Sequence, residues 1–242
     1  GARIINCYNL GNVTSTEFAG GDTGQTYGAI ISCFNTGNVK ATKQMVGGIT
    51  AYIYSYSDHP IAIEKCWNSG TIDSLQYAGG MVGYLFGYQA LSECYNVGNI
   101  NAGGNYVGGL MGYGYIQGNT TDYTVQNCYN TGNIIQASVG DPYAKSYVGG
   151  LAGVFYNNQG KHAFLNCFNT GNITNILNDG KFIGGIVGFF SIESDVETDS
   201  GIKNCYNTGN IQAAGSYVGG LTGNLYGGRI NNTFDSCYNT GN

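Results

Sequence analysis

A cysteine, an aromatic ring and an asparagine recur as a triplet eight times along this chain, and the stretch that follows each triplet keeps one length. CYNTGN stands at 128–133, 205–210 and 237–242, CFNTGN at 33–38 and 167–172, and CYNLGN, CWNSGT and CYNVGN at 7–12, 66–71 and 94–99. From each of the first seven cysteines to the next β-branched residue (Val13, Val39, Ile72, Ile100, Ile134, Ile173, Ile211) the distance is six. The remainder of the repeat is elastic, because successive cysteines lie 26, 33, 28, 34, 39, 38 and 32 residues apart. A stack of coils behaves this way: strands must align with the rungs above and below, whereas loops bulge outward freely.

A second motif alternates with the first: AGGDTG at 19, VGGITA at 46, AGGMVG at 78, VGGLMG at 107, VGGLAG at 148, IGGIVG at 183 and VGGLTG at 218. An aromatic precedes six of the seven (Phe18, Tyr77, Tyr106, Tyr147, Phe182, Tyr217), and Met45 stands in the other place. Helical repeats do not fit, since glycine in a helix costs about 1 kcal/mol relative to alanine and 42 of the 242 residues are glycine. The expected fold is all-β, a β-solenoid (parallel β-helix) of about seven coils forming one array over 1–242. Coils start near Cys7, Cys33, Cys66, Cys94, Cys128, Cys167 and Cys205, with a partial coil from Cys237. About three short strands per coil are expected, and seven coils spaced about 4.8 Å apart make a rod roughly 34 Å long.

Strand alternation assigns faces. An apolar residue lies three before each cysteine (Ile4, Ile30, Ile63, Leu91, Val125, Phe164, Ile202, Phe234) and a polar one immediately before it. The polar column points to water and the cysteines point inward as small apolar fillers. Cys7, Cys33, Cys66, Cys94, Cys128, Cys167, Cys205 and Cys237 then form one interior ladder. Asn9, Asn35, Asn68, Asn96, Asn130, Asn169, Asn207 and Asn239 form another, with amides bonding from coil to coil. The minus-three residue and the cysteine have opposite parity, so a bend or bulge lies between them. A bend at the cysteine itself would reverse the assignment and turn the rings inward. With cysteines inside, Tyr8, Phe34, Trp67, Tyr95, Tyr129, Phe168, Tyr206 and Tyr238 make an external aromatic ladder, a surface for a glycan or a partner. The glycine two places after each asparagine is expected to adopt the positive φ of a turn.

The paired motifs resemble the GLUG repeat, named for its Gly-Leu-x-Gly signature, here Gly109-Leu110-Met111-Gly112 and its counterparts beside the CYNTGN segments. The resemblance runs from Cys7 to Asn242. It departs at Asp22, which replaces the leucine and is expected to disturb the first coil, and at Ala51, which replaces the last glycine. The resemblance implies a bacterial or archaeal cell-surface protein, either adhesin-like or the non-catalytic part of a large immunoglobulin-cleaving metallopeptidase. Peptidase activity does not carry over, because no HExxH motif is present and His59 and His162 stand in dissimilar contexts.

Composition narrows the function classes. The net charge is −5 with two arginines and scattered lysines, so nothing is arranged to neutralise nucleic-acid phosphates. No apolar run approaches the roughly 18 residues of a membrane span. Cleavage of acidic polysaccharides would need clustered carboxylates beside a base, and charges here are sparse; no catalytic residue, metal or cofactor is expected. Free buried thiols suit a columnar ladder better than bridges do, although disulfides between neighbouring rungs stay open. Glu193, Asp195, Glu197 and Asp199 alternate in ESDVETDS, which would put four carboxylates on one face of an extended segment, a weak calcium candidate against the reading of a solvated loop. The expected function is a non-enzymatic extracellular structural or adhesive segment of a cell-surface protein. The opening GARIINCYN reads as a trimmed piece of something longer, and neither end shows a polar cap, so the expected partners are further coils of the same protein or copies joined end to end into filaments. The alternative is a carbohydrate-binding module that presents the external ladder to a host or matrix glycan.

Overall fold

A computed structural model describes residues 2–56, 60–117, 123–137, 146–158, 162–176, 180–192, 200–227 and 232–242. Every regular element among them is a β-strand, and all strand pairs are parallel. Each coil contributes five strands instead of the three expected. In the coil around Cys94 they are Gln89–Ser92, Tyr95–Asn96, Ile100–Ala102, Tyr106–Gly108 and Met111–Ile116. Stacked on their counterparts, they build five sheets, which we number I to V in that order; I and II have eight strands and the others seven. The chain is a β-solenoid of about seven coils. Three of the five strands in this coil are only two or three residues long, too short to show a period-2 pattern in the sequence.

Register is strict where the sequence is strict. Trp67 pairs with Phe34 and Tyr95, Asn68 with Asn35 and Asn96, and Ile72 with Val39 and Ile100. Sheets I and II meet at one left-handed residue per coil: Asn6, Ser32, Lys65, Glu93, Asn127, Asn166, Asn204 and Ser236 have φ between 52° and 55°. Half of them are asparagine, the non-glycine type that tolerates this region best. The turn provides the bend that parity requires, and it leaves Ile63, Cys66 and Asn68 all fully buried.

The glycines of the CYNTGN segments do not have positive φ, contrary to expectation. They are there for closeness. A Cβ on Gly132 would stand 2.0 Å from the Gly98 carbonyl oxygen of the coil before, and the same holds along the column at Gly37, Gly70 and Gly171.

The interior is two cores instead of one. Cysteine, isoleucine, leucine, methionine and phenylalanine fill a lobe between sheets I and V. Valine, isoleucine and alanine fill a smaller lobe between sheets III and IV. What separates them is contact between the two sequence motifs. A Cβ on Gly109, second of its Gly-Gly pair, would lie 2.4 Å from Cγ of Asn130 in the next coil and 2.0 Å from the Gly150 carbonyl oxygen; Gly48 meets Asn68, and Gly185 meets Asn207, in the same way. The corner between sheets IV and V is therefore pushed inward onto the asparagine ladder, and the cross-section has a waist.

The first coil departs from the others. Asp22 keeps the backbone ladder, its N–H donating to the Ile49 carbonyl at 3.0 Å. Its side chain is half-buried, with Oδ2 enclosed and unpartnered among the described residues. Thr26 occupies the core place held by Ile53 in the coil above.

Candidate functional site

The asparagine ladder runs without a gap. Each Nδ2 donates to Oδ1 of the asparagine in the next coil at 2.7–2.8 Å, from Asn9 through Asn35, Asn68, Asn96, Asn130, Asn169 and Asn207 to Asn239. The other Nδ2 proton goes to the carbonyl two residues on, as from Asn130 to Gly132 at 2.8 Å. Both donors are used, so burial costs these amides little. A second amide column escaped the sequence reading: Oδ1 of Asn12, Asn38, Asn99, Asn133, Asn172 and Asn210 accepts a backbone N–H from the coil above at 3.0–3.1 Å. Its signal was the final asparagine of CYNTGN.

The six inner cysteines are fully buried, Cys7 and Cys237 less so, and all eight are free thiols. The Cys66 thiol donates to the Glu64 carbonyl at 3.1 Å and its sulfur accepts the Cys33 N–H at 3.4 Å. Burial pushes the Cys33 and Cys128 thiols up, which keeps them protonated and poor nucleophiles. Among the described residues, no group of three or more His, Cys, Asp or Glu side chains is placed to hold a metal ion. The calcium candidate Glu193, Asp195, Glu197 and Asp199 lies outside the described residues.

The external ladder of Tyr8, Phe34, Trp67, Tyr95, Tyr129, Phe168, Tyr206 and Tyr238 is a continuous stack on sheet II. Adjacent ring centroids lie 4.5–6.1 Å apart with interplanar angles of 11° or less. Such stacking stabilises the coil-to-coil contact. It also covers the faces of the six inner rings with one another. A sugar packs its C–H groups on an aromatic face, so this ladder is poorly built for the glycan role expected of it.

Aromatic side chains gather a second time, on the outside of the waist. The corner between sheets IV and V is re-entrant, so outward residues of the two sheets converge. Tyr77, Tyr106, Tyr147, Phe182 and Tyr217 stack along sheet IV with centroids 4.7–5.4 Å apart. Tyr84 and Tyr113 of sheet V meet them edge-on, Tyr77 with Tyr84 at 5.4 Å and 73° and Tyr106 with Tyr113 at 5.4 Å and 88°. Burial, with Tyr77 beside it, pushes the Tyr84 phenol up to about 12. In the first two coils the filling fails. Met45 stands where sheet IV elsewhere carries a ring, and Gln25 stands in register with Tyr52 and Tyr84. The result is a cavity of about 400 Å³ lined by Phe18, Gln25, Met45, Tyr52, Tyr54, Tyr84 and Phe86. The sequence showed Met45 as an exception but not what faces it.

Comparison with known proteins adds the fold and little else. No family model matches the chain, and no curated protein matches it. Among solved structures, it is similar to a Bacteroides ovatus protein described as a "putative immunoglobulin A1 protease", with a TM-score of 0.50 and 15% identity over 96% of this chain. The chain spans 65% of that protein's length. At this identity the likeness is one of fold.

Proposed function

We propose that the chain is a non-enzymatic structural segment of an extracellular, cell-surface protein, a rigid β-solenoid that extends by adding coils of its own kind. The observation that carries the reading is the coil-to-coil register of five parallel sheets, shifted only between Ser146 and Tyr147 among the described pairs, in which thiol, amide and ring columns each contact copies of themselves. Such columns gain nothing from a foreign partner and are completed by another coil. Leu221, Phe234 and Cys237 are only partly buried against the large core, and a further coil, in cis or from a second copy, would cover them. The GLUG resemblance and the solenoid likeness to a "putative immunoglobulin A1 protease" support a surface setting, with this segment as scaffold and not as peptidase.

Electron microscopy of the purified chain tests the assembly. Rods roughly 34 Å long that lengthen into filaments as concentration rises are expected. Discrete particles of one size at every concentration would remove self-association and leave a spacer only.

A further inference from the structure

The cavity on the outside of the waist has the features of a ligand site. Phe18 forms one wall and Tyr52 the other. Phe18 has Met45 as its neighbour in the column, and Tyr52 has a ring on one side only, Tyr84 at 5.5 Å, with Gln25 on the other. These two rings therefore offer faces that the stacked ladders elsewhere conceal. The polar groups at the cavity are the Gln25 amide, whose Nε2 donates to the Tyr27 hydroxyl at 2.7 Å, and the hydroxyls of Tyr52, Tyr54 and Tyr84. Among the described residues no charged side chain lines it, which favours a neutral ligand. Above the cavity, Tyr77 and Tyr84 meet edge-on at 5.4 Å. Its volume lies within the small-ligand range of about 300–1,000 Å³.

A neutral ring with apolar faces and a rim of hydroxyls matches this lining. We propose that the slot between Phe18 and Tyr52 binds a neutral pyranose unit of a glycan, its C–H faces against the two rings and its hydroxyls bonded to Gln25 and the tyrosine hydroxyls. The solenoid would then be adhesive at one place along its length. A proline-rich peptide, which also favours aromatic grooves, is the competing occupant.

Saturation-transfer NMR with neutral gluco-, galacto- and manno-oligosaccharides of two to six units tests the site, with a proline-rich peptide as competitor class. At least one sugar series should receive transfer. Tyr52→Ala should weaken its binding at least about tenfold by removing a ring contact. Met45→Phe, which completes the sheet IV column, should also abolish binding while the thermal midpoint stays or rises. Tyr129→Ala, on the opposite ladder, should leave binding unchanged. The proposal falls if no sugar in the panel binds, if Met45→Phe and Tyr52→Ala bind as the parent does, if Tyr129→Ala is the variant that loses binding, or if only the proline-rich peptide binds.

Discussion

The corner between sheets IV and V has an inner and an outer surface, and the two obey different rules. Inside, a glycine packs on an asparagine in every coil, from Gly21 on Asn35 to Gly220 on Asn239. Outside, the residues vary in type and size: Tyr113 is followed by Val154 and Phe189, and Tyr52 is preceded by Gln25. The inner contact joins backbone to a fully bonded amide at less than ordinary van der Waals spacing for any Cβ, so one coil cannot differ without displacing the next. The outer groove is side chain against side chain, where a methionine or glutamine can replace a ring at the cost of a gap. Repetition is enforced where coils lock together, and variety collects where a ligand could tell one coil from another.

The contrast can be broken most severely at Gly109. Gly109→Ala has no rotamer by which to escape, because its nearest neighbours include the Gly150 carbonyl and Asn130. A loss of about 3 kcal/mol or more is expected, read as a lowered denaturant midpoint; a midpoint like the parent's would mean that the waist is not a tight contact. Asn130→Ala comes next. It strands the Asn96 donor and the Asn169 acceptor in the interior, for an expected loss of about 2–3 kcal/mol. Recovery in Asn130→Asp equal to the parent would count against the amide-to-amide chain, since a carboxylate has no proton to donate.

The smallest effect sharpens the comparison at the one coil where the apolar residue after the Gly-Gly pair is replaced by a carboxylate. Burial raises the Asp22 carboxyl from 3.8 to about 6, so the folded chain holds this proton more tightly than the unfolded one. The ionised form opposes folding: stability should increase as pH falls through 6 and level off below 3.8. Asp22 is only half-buried, so solvent screening keeps the change below about 1 kcal/mol. Asp22→Ile should abolish the dependence and leave the first coil more stable at pH 7. A parent whose stability is flat between pH 4 and 7 would show that the carboxyl reaches water.

The coil was legible in the sequence because a ladder demands the same residue at each level, and seven cysteines each six places before a β-branched residue leave few other solutions. The residues Cys66 and Asn68 could be placed inside by parity and volume. The turn that reconciles them was not readable, since its residues are as unlike as Lys65, Glu93 and Asn127 and share only a backbone angle. The contact of Gly109 with Asn130 was equally hidden: two motifs about twenty residues apart can face each other only if the number of corners between them is known. The groove required that contact first, because Met45 and Gln25 look like ordinary substitutions until the two sheets are folded toward one another.

The asparagine chain has one further consequence. Every amide in it points its N–H toward the later coil and its C=O toward the earlier one, so the eight small dipoles add along the axis instead of cancelling. The rod has a sense, like an arrow. Its last rung, Asn239, turns a donor outward, and its first, Asn9, turns an acceptor. Were two such rods to meet, head-to-tail contact would continue the chain of amides, whereas contact between the two donor ends would set donor against donor.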